Sequence, residues 1–184
     1  MEIALICTSS LSYLPFVGNY EDILKENNAN FTIINWDRLH VEDDSNRFTY
    51  RDKKVGHKRN YFDYLIFKKF VMKKLNERKF DKIIVFDIPL LHFLEKYLIK
   101  NYREKYIIDI RDYHKIKMFT NMKKLIENSS FVVISSDRYK VWLPLSDKYV
   151  INHNTRIKSL RELRPTNCKK DYKEIRIACI GAIS

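Results

Sequence analysis

Glycine is almost absent: Gly18, Gly56 and Gly181 are all that 184 residues contain. A glycine-rich phosphate cradle therefore has nothing to be built from, and neither a G-x-G-x-x-G fingerprint nor a Walker loop occurs. Cysteine is equally sparse. Cys7, Cys168 and Cys179 are odd in number and widely spaced, and two of them sit in apolar runs. They form neither a disulfide framework nor a zinc site, and a reducing, cytoplasmic compartment is expected. His40, His57, His92 and His153 lack ligand spacing, so no metal site is expected. No uninterrupted apolar run approaches the roughly 20 residues needed to cross a bilayer. The opening Met1-Glu2-Ile3-Ala4-Leu5-Ile6 has an acid at position two and no basic flank or small-residue cleavage site, so it reads as a strand rather than a signal. No internal repeat or low-complexity tract is present.

What the chain does have is core material and positive charge. Hydrophobic residues make up 45% and aromatics 14%, with 12 Tyr and 11 Phe, which excludes a disordered, charge-dominated chain. Thirty-five Lys+Arg against 23 Asp+Glu give a formal net charge of +12. Charge of that size attracts phosphates, nucleic acid or an anionic membrane surface without choosing among them. Because the basic residues are scattered and no nucleic-acid motif frames them, no nucleic-acid partner is expected.

Ile3–Cys7, Phe31–Trp36, Lys82–Phe86, Tyr106–Ile110 and Phe131–Ile134 are short, nearly continuous apolar runs bounded by polar residues. Strands of that kind are buried on both faces and belong to parallel sheets between helices. Helical patterns lie between them, at about Asn19–Asn28, Asn60–Arg78, Leu90–Tyr102, Met118–Asn128 and Asp137–Leu143, and Lys148–Ile151 adds a last short strand. The alternation predicts an α/β, Rossmann-like doubly wound parallel sheet flanked by helices. Residues 38–58, polar and without either period, read as a mobile loop. The predicted organisation is a domain over 1–154, a linker over 155–174, and a strand over 175–184. That strand runs into Ile180-Gly181, like the opening turn of a second nucleotide-binding-type domain.

In such sheets ligands bind beyond the carboxyl ends of the strands. The residues there are Thr8, Ser9, Ser10, Ser12 and Tyr13; Asp37 and Arg38; Asp87 and Pro89; Arg111, Asp112, Tyr113 and His114; and Ser135, Ser136 and Asp137. Hydroxyls, carboxylates and an imidazole on one edge suit a sugar or polyol, although Ser, Thr and Asp are also the best helix caps. The densest cluster is Asp109-Ile110-Arg111-Asp112-Tyr113-His114. Asp112 or His114 has the chemistry to orient or deprotonate an acceptor hydroxyl. Arg111 either fixes an anionic group or forms an internal ion pair with Asp109. No G-x-S-x-G elbow surrounds Ser135-Ser136, so serine hydrolase chemistry has no support. In the helix from Asn60, Tyr61, Tyr64, Leu65, Val71, Met72 and Leu75 form one apolar arc. Phe62, Ile66 and Phe70 form a second beside Lys69 and Lys73. That stripe either rests on an anionic leaflet or is covered by a neighbouring element.

Taken in order, several of these stretches resemble the amino-terminal domain of family-four glycosyltransferases of capsular and exopolysaccharide biosynthesis: Ser9-Ser10, Tyr13-Leu14-Pro15-Phe16 to Asn19-Tyr20, Asn35-Trp36-Asp37-Arg38, Tyr106 to Tyr113, Ile134-Ser135-Ser136, Trp142-Leu143-Pro144 and His153-Asn154. The resemblance implies the first half of a GT-B fold and transfer of a sugar, retaining and metal-independent, to a lipid-linked glycan at the cytoplasmic membrane face. It implies Asp112 and His114 in catalysis, and Ser9, Ser10, Tyr13, Asn19, Trp36, Arg38, Arg111 and Tyr113 against the acceptor. His153 and Asn154 fall at the interdomain crossing, with membrane contact through Phe62, Ile66, Lys69, Phe70 and Lys73. No cofactor is expected in this domain. The nucleotide-sugar belongs to a second, donor-binding domain in cis or in trans, without which this chain is expected to be inactive. The other reading is a non-catalytic module that binds a glycan or phosphoglycan at the membrane surface. The chain departs from the family in having Ser9-Ser10 where many relatives pair glycines after the first strand.

Overall fold

The computed structural model describes residues 1–42 and 47–153. The linker and second-domain strand expected beyond them, and Asn154, lie outside the described residues. Seven strands form one sheet: β1 (Glu2–Cys7), β2 (Asn30–Trp36), β3 (Arg47–Tyr50), β4 (Lys82–Phe86), β5 (Tyr106–Ile110), β6 (Phe131–Ile134) and β7 (Tyr149–Ile151). Their spatial order is β3-β2-β1-β4-β5-β6-β7, and every pairing is parallel. This is the α/β, Rossmann-like arrangement that the continuous apolar runs predict.

Burial on both faces explains those runs. Ile3, Leu5 and Cys7 of β1 point to one side, where they pack with Val17 and Leu24 of α1 (Val17–Glu26). Ala4 and Ile6 point to the other, toward α2 (Tyr61–Glu77), α3 (Ile88–Asn101) and α4 (Met122–Glu127). A strand that alternates between two dry layers has little room for polar residues. Asn60 and Asp63 close a reciprocal capping box that starts α2. Asp87, whose side chain accepts from the Leu90 N–H, starts α3 with Pro89 in its first turn.

Three expectations change. Within the stretch read as a loop, Arg47–Tyr50 adds a parallel edge strand on β2, where Thr49 Oγ1 donates to Asn35 Oδ1 at 2.9 Å. Its four residues are all half-buried, too short and too charged at the flanks to show a period. The helix expected over Met118–Asn128 is divided. A 3-10 turn covers Lys115–Phe119, and α4 starts afresh because Asn121 caps it, its side chain accepting from the Lys124 N–H at 3.0 Å. Asp137–Val141 is likewise a 3-10 turn.

The core of α2 centres on Phe67, Val71 and Leu75. Trp36, fully buried at the end of β2, stacks on Phe67 at 4.8 Å and meets Tyr64 edge-on at 5.4 Å. The expectation that Trp36 touches an acceptor is therefore corrected: its ring is enclosed on every side by aromatic and guanidinium groups. Trp36→Ala should cost about 3–5 kcal/mol, read as a lowered urea midpoint with an unchanged slope.

Candidate functional site

The strand order reverses between β1 and β4, so the chain leaves these neighbouring strands in opposite directions and a crevice opens between their ends. A cavity of about 290 Å³ occupies that position. Thr8, Ser9, Tyr13, Leu14 and Phe16 line it from the β1 side, Asp87, Ile88 and Pro89 from β4, and Arg38 and Tyr64 close one end. Arg111, Asp112, Tyr113 and His114, after β5, close the other.

The wall at β5 is fixed by a buried ion pair. Arg111 Nη2 donates to Asp109 Oδ2 at 2.7 Å and Nε to Oδ1, while Nη1 reaches the Asn152 carbonyl just beyond β7 at 2.7 Å. The Tyr20 hydroxyl of α1 donates to the same carboxylate. Burial raises the Asp109 carboxyl, and Arg111 and Tyr20 oppose that rise. The internal-pair reading of Arg111 thus holds: its guanidinium faces the cavity with its donors directed at Asp109 and Asn152, and it is not left over for an acceptor. The Arg111 carbonyl accepts from Tyr139 Oη at 2.5 Å and from Ser135 Oγ at 3.4 Å. Ser135 also accepts at its carbonyl from His153 Nδ1 at 3.0 Å.

Beyond this pair the chain turns outward. Asp112, Tyr113 and His114 are exposed, and among the described residues Asp112 has no ion-pair partner. Tyr113 stands edge-on to Trp142 at 5.4 Å with the Lys117 ammonium over its ring. His114 Nδ1 accepts from the Ile116 N–H at 3.1 Å. That acceptor role puts the ring proton on Nε2, so the imidazole presents a donor.

Asp87 is the residue whose importance the pattern understated. It holds φ 78° and ψ 148°, a conformation close to glycine-only. Thr8 Oγ1 donates to one carboxylate oxygen and the Leu90 N–H to the other, while its own N–H donates to the Asp109 carbonyl at 3.1 Å. Burial raises its carboxyl against the pull of Thr8, Leu90 and Arg38. Its sequence signal was an Asp-x-Pro following an apolar strand, which reads as a cap and is one.

The opposite wall depends on Asp37. Its fully buried carboxylate accepts from Ser10 Oγ at 3.0 Å, the Val41 and Glu42 N–H groups at 3.1 and 3.0 Å, and Arg51 Nε at 2.9 Å. Ser10, expected against the acceptor, is thereby buried as a brace between the loops after β1 and β2. Asn19, also expected there, is buried within α1 and does not line the cavity. Ser9, Tyr13, Arg38 and Tyr113 do line it, with Asp112 and His114. The Tyr13 ring, 56% exposed, lies edge-on to His57 at 4.9 Å at the mouth.

On α2, Phe62 and Ile66 are exposed beside Lys69 and Lys73. Phe70 is half-buried, its ring 5.2 Å from that of Tyr50 on the edge strand. The outward stripe therefore shortens to Phe62 and Ile66, because β3 covers the position below. No helix among the described residues is long and apolar enough to cross a membrane. No group of three His, Cys, Asp or Glu among them could hold a metal ion.

No family model matches the sequence, and no curated protein matches it. A solved structure similar to this chain is the N-terminal domain of trehalose-6-phosphate phosphatase from Candida albicans, at 13% identity and a TM-score of 0.47. The likeness covers 76% of this chain, which spans about two fifths (41%) of that one. The fold assignment rests on the strand pairings themselves.

The Asp37 brace gives the site a pH signature. Burial alone would raise this carboxyl, but the Glu42 N–H, Arg51, the Val41 N–H and Ser10 together hold it well below the ordinary range. A depressed carboxylate contributes stability that is complete above the unfolded value, about 3.9, and is lost as the pH falls further. Asp37→Asn should be less stable than wild type at pH 7, with the gap in urea midpoint narrowing below about pH 4. A constant gap from pH 7 to pH 3 would contradict this.

Proposed function

We propose that this chain is the acceptor-binding domain of a GT-B-type glycosyltransferase that extends a lipid-linked glycan in bacterial cell-surface polysaccharide biosynthesis. The observation that carries the reading is the crevice at the β1/β4 reversal. It combines aromatic faces at Tyr13, Tyr64 and Tyr113 with hydroxyls at Thr8 and Ser9 and a carboxylate at Asp112. Sugars present both apolar C–H faces and hydroxyls, and a concave site lined by aromatics and a few polar groups matches both. Asp112, exposed and unpaired among the described residues, supplies an acceptor for the proton of an incoming hydroxyl. His114, with its proton on Nε2, supplies a donor. In this reading the nucleotide-sugar belongs to a second domain, in cis or in trans.

With the donor-binding domain supplied, transfer of radiolabelled sugar to a membrane lipid fraction should fall about 10²–10⁴-fold in Asp112→Asn, with melting unchanged. Undiminished transfer would remove Asp112 from the chemistry. The +12 charge and the exposed Phe62 and Ile66 beside Lys69 and Lys73 support residence on an anionic leaflet. Phe62→Ser combined with Ile66→Ser should reduce pelleting with phosphatidylglycerol vesicles several-fold, whereas equal pelleting would sink the membrane role of α2.

A further inference from the structure

Arginines among the described residues are normally matched or exposed. Arg47 pairs with Glu42, Arg51 with Asp37, Arg59 with Asp52, Arg78 with Glu2 and Arg111 with Asp109. Arg103 and Arg138 are exposed. Arg38 is neither. It is 9% exposed and has no carboxylate within ion-pair distance among the described residues. Its Nη1 reaches the His57 carbonyl at a long 3.3 Å, its Nη2 the Tyr64 hydroxyl at 3.1 Å, and its Nε has no acceptor. The Trp36 ring lies 4.6 Å from the guanidinium carbon and holds the fork in place without neutralising it. The Asp87 carboxyl feels Arg38 electrostatically but forms no ion pair with it, and a buried cation without a contacting counter-charge is costly; this one stands in the wall of the crevice.

We infer that the crevice takes a saccharide carrying a phosphate or carboxylate, with that anionic group seated on the Arg38 guanidinium. This rests on the reading of the crevice as a saccharide site and adds the charge of the ligand. The other charges in the wall fit such a division. The Asp87 carboxylate is occupied by Thr8 and the Leu90 N–H, and burial favours its neutral form. Arg111 is matched by Asp109. Asp112 follows β5 whereas Arg38 follows β2, three strand spacings away, or roughly 14 Å at about 4.8 Å each. The crevice is thus positive at one end and negative at the other. An anionic substituent is drawn to Arg38, and the remaining ring hydroxyls are left facing Ser9 and Asp112. A planar guanidinium with free donors suits a phosphate or carboxylate in a way that an ammonium would not.

Titration calorimetry with glucose, glucose 6-phosphate, glucuronate and inorganic phosphate tests this. Wild type should bind at least one of the two anionic sugars about tenfold to a hundredfold more tightly than glucose, with the gap shrinking as salt is added. Arg38→Gln should bind all three sugars alike, while Arg38→Lys, which keeps the charge but not the planar fork, should retain part of the gap. Which anionic sugar binds better distinguishes phosphate from carboxylate. Equal binding of the three sugars by wild type, or a gap that survives in Arg38→Gln, would overturn the anion assignment and leave the saccharide site standing. Arg38-dependent binding of inorganic phosphate without any sugar would keep the anion seat and overturn the saccharide reading. Absence of binding by all four would overturn both.

Discussion

One buried ion pair organises the functional edge of this sheet. The Asp109 carboxylate and the Arg111 guanidinium lie one pleat apart on the exit from β5, both nearly sealed from solvent. Through them the strand is joined to α1 by Tyr20 and to the chain beyond β7 by the Asn152 carbonyl, while the Asp109 backbone carbonyl accepts the Asp87 N–H at the exit of β4. A pair of this kind is a weak source of net stability but a strong constraint once formed, since removing either partner strands a charge in a dry interior. The consequence is positional. Arg111 is fixed by this network, and the exposed Asp112, Tyr113 and His114 follow directly from it.

Asp37 plays the matching part across the crevice. Its carboxylate gathers the loops after β1 and β2 and the end of β3, so the wall that carries Arg38 is as fixed as the wall that carries Asp112. Between them Asp87 keeps a conformation that few residues other than glycine adopt, held by Thr8 and by the start of α3. Backbone strain retained at the point where a sheet reverses its winding is characteristic of sites built to receive a ligand. The polar residues nearest the cavity thus divide into those that brace and those that face outward.

That division was the part of the site that the sequence could not display. Continuous apolar runs announced β1, β2, β4, β5 and β6 because burial on two faces leaves little room for polar residues, and β7, half-exposed at the sheet edge, was found as the short strand that completes the alternation. Arg47–Tyr50 escaped because an edge strand of four half-buried residues has no such pattern. The rule that ligands collect beyond strand ends found Ser9, Tyr13, Arg38 and Asp112, all of which line the crevice. It could not tell Ser9 from Ser10, adjacent residues of which one lines the cavity and the other is spent on Asp37. Nor could it show that Trp36 is core, since an aromatic at a strand end reads equally as a stacking platform. Phe70 belongs to the stripe by helical spacing alone, and only the position of β3 removes it.

The central claim, that the crevice between β1 and β4 is a saccharide site, is tested most directly by mapping amide chemical shifts of the ¹⁵N-labelled protein during titration with neutral, phosphorylated and uronic monosaccharides. A saccharide site predicts saturable shifts confined to Thr8–Phe16, Arg38, Asp87–Leu90 and Arg111–His114. Shifts that saturate elsewhere on the chain, or none at millimolar sugar, would contradict it.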